Sequence, residues 1–353
     1  MVPPLIRPAL ASARSALRSL ARHPRTRELI LRTNRELNRA LYDDVYGAHY
    51  FGSGRDPLDR MGLSGYERYD RDTSNANVAA YLVWRWFDVQ RTLDVGCATG
   101  FVVEALRELG FDAMGVDVSQ FAVDQAAAGA RGHIRYGDLT HRLPFPDGTF
   151  DLVTALETLE HLPPEAVPVA LRELRRVTRS YVVATIPSFG PNENGPGGWY
   201  TIKVRDERVP HYESLGPGHE GPIPYEDLYR DAEGEPIEGH LTIASFSWWT
   251  KRFEEAGFVR CGAVERLMHP HLARFGLTKY WNLYVFRVPS APEPGPDVRS
   301  PAEIALWEAN FGLDTRVALP EDTLAVESAL AAHHPPPADQ RVERVARPRT
   351  PPR

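Results

Sequence analysis

The sequence predicts an α/β fold built on a doubly wound, mostly parallel sheet. Three observations predict it. Short apolar runs of strand character alternate with helix patterns from about residue 75 to residue 187. Several of those helix patterns end on a glycine, as at Gly110 and Gly129. The first strand runs directly into a glycine-bearing turn, "TLDVGCATGF" (Thr92–Phe101). In such a sheet, helices cover both faces and ligands bind at the carboxyl ends of the strands.

The elements follow in order. A helix is expected from Asn75 to Phe87, opened by Thr73 or Ser74 as cap, and then the strand "TLDV" and its turn. Helix "VVEALRELG", strand "AMGVDV" and helix "FAVDQAAAG" come next. The short strand "HIRYGD" leads through a Pro- and Gly-rich loop to strand "FDLVTAL". Helix "PEAVPVALRELRRVT" and strand "YVVATIP" complete the alternation. Residues 187–239 then form a long stretch rich in Gly, Pro, Asn and aromatics. A loop of that length inside a compact domain is usually functional, which makes it a candidate substrate lid lined by Tyr200, His211, Tyr212, His219 and Tyr225. The plainer reading is a surface excursion anchored by those aromatics. Trp248, Trp249, Phe253 and Ala256 have the spacing of one buried helix face, and "FVRCGAVERL" and "YWNLYVFRV" read as a final antiparallel pair of strands.

Composition bounds the rest. The chain has 353 residues, 42% hydrophobic and 25% charged, the profile of a soluble globular protein. A net charge of −6 gives no global case for nucleic acid. Residues 1–40 carry nine arginines and two glutamates and read as a basic helical segment, a solvated helix broken near Pro24 that also imitates a transit peptide or a membrane-surface helix. From Pro289 the chain turns proline-rich, so 289–353 reads as a largely disordered tail carrying one short helix-like piece, "AEIALWEANFG". The working domain is therefore 41–288. Two distant cysteines, Cys97 and Cys261, support neither a disulfide framework nor a zinc cluster, and no carboxylate or His set stands at metal-ligand spacing. No apolar run is long enough for a membrane span, and the expected location is cytoplasmic. Oligomeric state is not readable.

The opening turn discriminates among ligands. A dinucleotide fingerprint needs Gly-x-Gly-x-x-Gly, but counting from Gly96 the chain has Ala98 and Phe101 where glycines belong. A phosphate loop needs Lys-Ser/Thr after its last glycine, and Phe101-Val102 supplies neither. What remains is an acidic residue with small residues at alternate positions: Asp94, Gly96, Ala98 and Gly100.

That pattern resembles the first motif of the class I S-adenosylmethionine-dependent methyltransferases, with Ala98 the one departure. The later stretches arrive in that family's order. They are "GVDVS" with Asp117, "YGDLT" with Asp138, and "PFPDGTFDLVTALETLEHLP" with Glu157 at the end of its strand. The late segment "GHLTIASFSWWTKRFEEAGF" is also similar. The resemblance spans roughly 45–288 and implies a seven-stranded Rossmann-like sheet with an antiparallel last strand and a lid-like insertion after the fifth. It implies S-adenosyl-L-methionine as cofactor. Asp94, Gly96, Cys97, Ala98 and Gly100 would lie under its methionine part, Asp117 and Val118 at the ribose, Asp138 and Leu139 at the adenine, and Glu157 at the end of the fourth strand. Each aspartate has a plainer reading as a helix or turn cap. The same likeness implies that the aromatic stretch "YDDVYGAHYFG" (Tyr42–Gly52) closes over the cofactor.

The expected activity is methyl transfer to a small molecule at a hydroxyl. His161, after the fourth strand, and His240, in the late Gly-His pair, are the candidate bases. A nitrogen or carbon acceptor would keep the cofactor residues and change the pocket. A nucleic-acid acceptor held by the basic tails is a third reading, but "TALETLEHLPP" stands where an amino-methylating enzyme carries Asn/Asp-Pro-Pro-Tyr/Phe.

Overall fold

In a computed structural model of the chain, the described residues are Tyr46 and 69–310, without 73, 196, 199–203, 217, 229–238 and 275–281. The expectations for segment 1–40, for the aromatic stretch apart from Tyr46, for Tyr200 and for 311–353 lie outside the described residues.

Seven strands form the main sheet: β1 (Arg91–Val95), β2 (Asp112–Asp117), β3 (Ile134–Tyr136), β4 (Phe150–Leu156), β5 (Thr178–Thr185), β8 (Val259–Arg260) and β9 (Leu283–Arg287). Their order is β3-β2-β1-β4-β5-β9-β8, and two further short strands, β6 (Ser188–Phe189) and β7 (Ala244–Ser245), pair separately. β1 pairs in parallel with both β2 and β4, so Leu93 faces Met114 on one side and Val153 on the other. β9 alone runs against its neighbours, antiparallel to β5 and to β8. The chain moves outward from β1 to β3 and then returns to β4 beside β1. That reversal opens a crevice at the carboxyl ends of β1 and β4.

The apolar runs of β4 and β5 are buried because helices cover both faces, as expected of central parallel strands. α1 (Ala76–Trp86) packs on α2 (Phe101–Glu108), while α4 (Val167–Val177) packs on α6 (Phe246–Glu255). α4 buries Ala170, Leu171, Leu174 and Val177, a single helical stripe. α6 does the same with Phe246, Trp248, Trp249 and Phe253, and Ser245 caps it by accepting from Trp248 N. Ala256 falls at the end of that helix, only partly buried.

Four details differ from the sequence reading. Asn75, in the left-handed region at φ 53°, begins α1 with no side-chain cap bond, because the Ser74 hydroxyl instead donates to Arg71 O. The helix expected through Gly129 stops early: α3 (Gln120–Asp124) is one turn capped by Ser119, and a 3-10 turn follows at Ala128–Ala130.

In "FVRCGAVERL" only Val259–Arg260 form a strand, and the chain then enters α7 (Gly262–Arg274). Val264, Met268 and Leu272 are buried four residues apart, a helical spacing that outweighs the β-propensity of the short segment. Buried Glu265 fastens this helix to both neighbouring strands, accepting from Arg260 of β8 and from Val285 N of β9.

The tail is also less detached than its prolines imply. α8 (Pro301–Asn310) docks on α1, where Trp307 is buried against Tyr81 and Trp84. Arg85 donates to Pro296 O, and Arg299 donates to Trp84 O, so residues 296–310 belong to the folded body.

Candidate active site

The turn after β1 is built by short-range constraints. Gly96 N and Cys97 N both donate to Val116 O, and Gly100 N closes the turn on Cys97 O at 2.8 Å. Gly96 has φ 72°, and a Cβ there would overlap the Thr158 side chain. Gly100, at φ 83°, would drive a Cβ to 2.7 Å from that of Ala130. Both positions therefore require glycine. Ala98 also lies in the left-handed region, at φ 48°, a conformation that costs an L-residue roughly 1–2 kcal/mol and for which glycine is the usual choice. Asp117 holds it there: its Oδ2 accepts from Ala98 N at 2.7 Å, and its Oδ1 accepts from Ser119 N at 2.8 Å.

Two cavities open at the crevice and share Tyr69, Gly96, Leu156 and Glu157. One, of about 890 Å³ counting its open mouth, is lined by Ala98, Asp117, Val118, Asp138, Leu139 and His161, with Tyr46 over it. The other, of about 800 Å³ on the same measure, is lined by Asp94, Cys97 and Thr154 together with residues of α1, β5 and β9. Among the cofactor residues expected from sequence, only Gly100 lines neither cavity, and its part is to start α2. Tyr69 and Thr158, which also line the crevice, were not expected; they carry no motif of their own.

Asp94 is buried, and burial pushes its carboxyl up to about 7, although the Thr154 hydroxyl donates to it at 2.6 Å and works the other way. Asp138 accepts from Thr140 N and Thr140 Oγ1 and meets His141 Nδ1 at 3.0 Å, so the turn-capping reading of this aspartate holds alongside its place in the cavity wall. Glu157 adopts φ 50°, a strained conformation for a non-glycine residue and one that clusters at functional sites. Asn282, entering from just before β9, donates to its Oε1 at 2.6 Å.

The two histidines separate. His161 lines the cavity and places Nδ1 3.2 Å from Gly239 O. His240 is 5% exposed and lines neither cavity; its Nε2 is 3.8 Å from Oε1 of fully buried Glu160. The fold thus brings Glu160, His161 and His240 into one group, with a ligand-type atom of each within 4.8 Å of the others. Linear spacing had shown no such set, because His240 arrives from the far end of the excursion. It is pinned there by Leu241 N and Thr242 N, which both donate to Glu160 O.

Among the described residues, no aromatic of 187–239 lines either cavity. Tyr212 is buried with Phe189, Val204, Val209, Ile223, Leu228 and Ile243 in a small core of the excursion's own. Its hydroxyl donates to Asp227, while His219 stacks on Phe189 with ring centroids 5.6 Å apart. Tyr225 packs against the same cluster, and His211 is exposed beside Tyr212. Tyr212, His219 and Tyr225 thus help to anchor the segment. Among the described residues no helix is long and apolar enough to cross a membrane.

A family model described as "Methyltransferase domain" matches residues 93–183, which run from β1 into β5. A ubiquinone biosynthesis O-methyltransferase from Methylococcus capsulatus is 35% identical over 86 residues, covering 23% of this chain and 36% of that one. Ajmaline N-methyltransferase from Rauvolfia serpentina is 30% identical over 125 residues, covering 33% and 42%. Magnesium protoporphyrin IX methyltransferase from Synechocystis, solved with bound SAH, superposes over 72% of this chain and all of its own at 16% identity and a TM-score of 0.41. The chain spans about a third to a half of the length of the relatives it matches in sequence. Over residues 93–183 the chain therefore carries a methyltransferase domain, within a sheet of the order expected of the class I, S-adenosylmethionine-dependent type.

Proposed function

We propose that the protein transfers a methyl group from S-adenosylmethionine to the hydroxyl of a small molecule. The observation that carries the reading is the pair of cavities meeting at Gly96 and Glu157, each walled by a buried aspartate, Asp117 in one and Asp94 in the other. The residues fit such a cofactor. Asp117 is held rigid by two backbone N–H groups, and its carboxylate oxygens can also accept from ribose hydroxyls. Asp138 and the apolar Val118, Leu139 and Leu162 suit an adenine. Asp94 suits an ammonium, and no lysine or arginine lines either cavity to favour a phosphate.

When bound, the cofactor supplies an electrophilic methyl group on a sulfonium. The chain's own contribution is positioning, worth up to roughly 7–11 kcal/mol in well-oriented reactions. Gly96 leaves room for close approach, and Tyr46 and Tyr69 narrow the mouth. His161 presents the polar wall beside which an acceptor's hydroxyl would lie. His240 stands behind it as a positioning residue.

A nitrogen acceptor is the second reading. It is supported by the mixed O- and N-methyltransferase names among the relatives, which share the cofactor segment. Incubating the purified chain and labelled cofactor with metabolite extract, then seeking a gain of one methyl by mass spectrometry, decides between them. A labelled O-methyl product supports the proposal. A labelled N-methyl product, or label only in nucleic acid, refutes it.

A further inference from the structure

We infer that Glu160, His161 and His240 form a divalent-cation site on the acceptor side of the cavity, which deepens the hydroxyl-transfer reading and rests on it. Two imidazoles and one carboxylate are a ligand set used by catalytic zinc, with the fourth position left to water or substrate. Here the three ligand-type atoms already lie within 4.8 Å of one another, so small side-chain rotations suffice to close on one ion.

Three further features support a cation. The backbone fixes the set: Glu160 and His161 share the 3-10 turn Leu159–His161, and Thr242 Oγ1 donates to Leu162 O at 2.5 Å, locking the His240 strand to that turn. The ring of His161 is also oriented by its second nitrogen. An Nδ1 facing the Gly239 carbonyl at 3.2 Å carries the proton, which makes Nε2 the nitrogen of acceptor character, the tautomer usual for metal-bound histidine. Lastly, Glu160 is buried with His240 Nε2 3.8 Å from its Oε1, close enough for both groups to turn onto one ion.

Access is from the cavity. His240 and Glu160 are buried, whereas His161 lines the wall beside Tyr46, with their rings edge to face at 5.7 Å. The open coordination position therefore faces the acceptor. A hydroxyl bound there loses its proton to solvent water more readily, because the cation stabilises the resulting oxyanion. The chemical class implied is an acceptor whose hydroxyl can reach the cation directly.

The full chain, stripped with a chelator and dialysed, should be titrated calorimetrically with Mn²⁺ and, separately, with Zn²⁺. Binding of S-adenosylhomocysteine and thermal unfolding are measured on the same preparations. One equivalent of cation is expected. Glu160→Gln, His240→Gln and His161→Ala should each weaken it at least about tenfold. His161→Ala truncates one side chain at the cavity wall, and a cooperative melting curve unchanged in the absence of added cation identifies it as folded. Absence of stoichiometric binding, or equal affinity in folded His161→Ala, overturns the site. Cation binding without nucleoside binding would leave the site standing and sink the methyltransferase proposal instead.

Discussion

The indole of Trp307 lies 4.3 Å, centroid to centroid, from the ring of Tyr81, and the Tyr81 hydroxyl donates to Glu308. A segment that composition alone assigns to a loose tail is therefore part of the wall around α1. Because α1 also lines the Asp94 cavity, removing residues after Val288 should lower the melting temperature and weaken cofactor binding. Trp307→Ala alone is expected to cost about 3 kcal/mol, or a fall of roughly 6–12 °C in melting temperature. A melting curve that matches the full chain would show the contact to be energetically idle.

Asp94 makes cofactor affinity depend on pH. Its folded carboxyl titrates near 7, well above the usual carboxylate range, owing first to burial. Below that pH the group is neutral and must release a proton before it can face an ammonium. Affinity should thus rise as pH is raised from about 6 to 8, by up to about tenfold per pH step on the acid side. The same raised value means that the unliganded fold gains stability from Asp94 as pH falls through 7, since the folded state then binds the extra proton. Asp94→Asn should flatten both profiles. Calorimetry in two buffers of different ionisation enthalpy reads the released proton directly.

Asp117 has a double task, fixing the Ala98 turn and facing the cavity. Asp117→Ala removes the acceptor for two backbone N–H groups as well as for the ribose. It should weaken S-adenosylhomocysteine binding at least about a hundredfold and lower stability by about 1–3 kcal/mol. Equilibrium dialysis beside urea unfolding tests the two parts separately. Loss of stability with affinity intact would assign Asp117 to the turn alone.

Gly96→Val should abolish cofactor binding, because the added side chain overlaps Thr158 and must enter the shared floor of the cavities. Pairing it with Thr158→Ser tests the cause. The Thr158 side chain holds two carbonyls, Val95 O and Leu156 O, through its hydroxyl, which serine retains while losing the methyl. Partial recovery in the double variant is the expected result; a block from strained backbone alone would show none.

The two thiols should be inert. Cys97 and Cys261 are buried and free, and burial pushes Cys97 upward and Cys261 up to about 12. A thiol reagent at pH 8 should label neither until denaturant is added. Rapid native labelling of Cys97 would mean that the turn opens far more often than its hydrogen bonds imply.

Much of the site was legible because it is local. The acid-ended strands and the small residues of the turn are contiguous in sequence, and their roles follow from backbone geometry at Gly96 and from strand ends at Asp117 and Glu157. The group at Glu160 was not legible, because His240 reaches it only through the return of residues 187–239. The strand expected across "FVRCGAVERL" failed for a related reason. Arg260 and Glu265 look like surface charges in one dimension, yet their mutual neutralisation is what allows α7 to bury a carboxylate between β8 and β9. Aromatic content also misled at 187–239, where Tyr212 and His219 serve the excursion's own core rather than a ligand.

The two ends of the sheet are its shortest strands, three residues in β3 and two in β8. Unpaired strand margins invite another chain to add on by backbone hydrogen bonding, and brevity is one way proteins deny that opportunity. Neither margin offers a ladder long enough to template a neighbour. Self-association through a continuous intermolecular sheet is thereby disfavoured at both margins of this sheet.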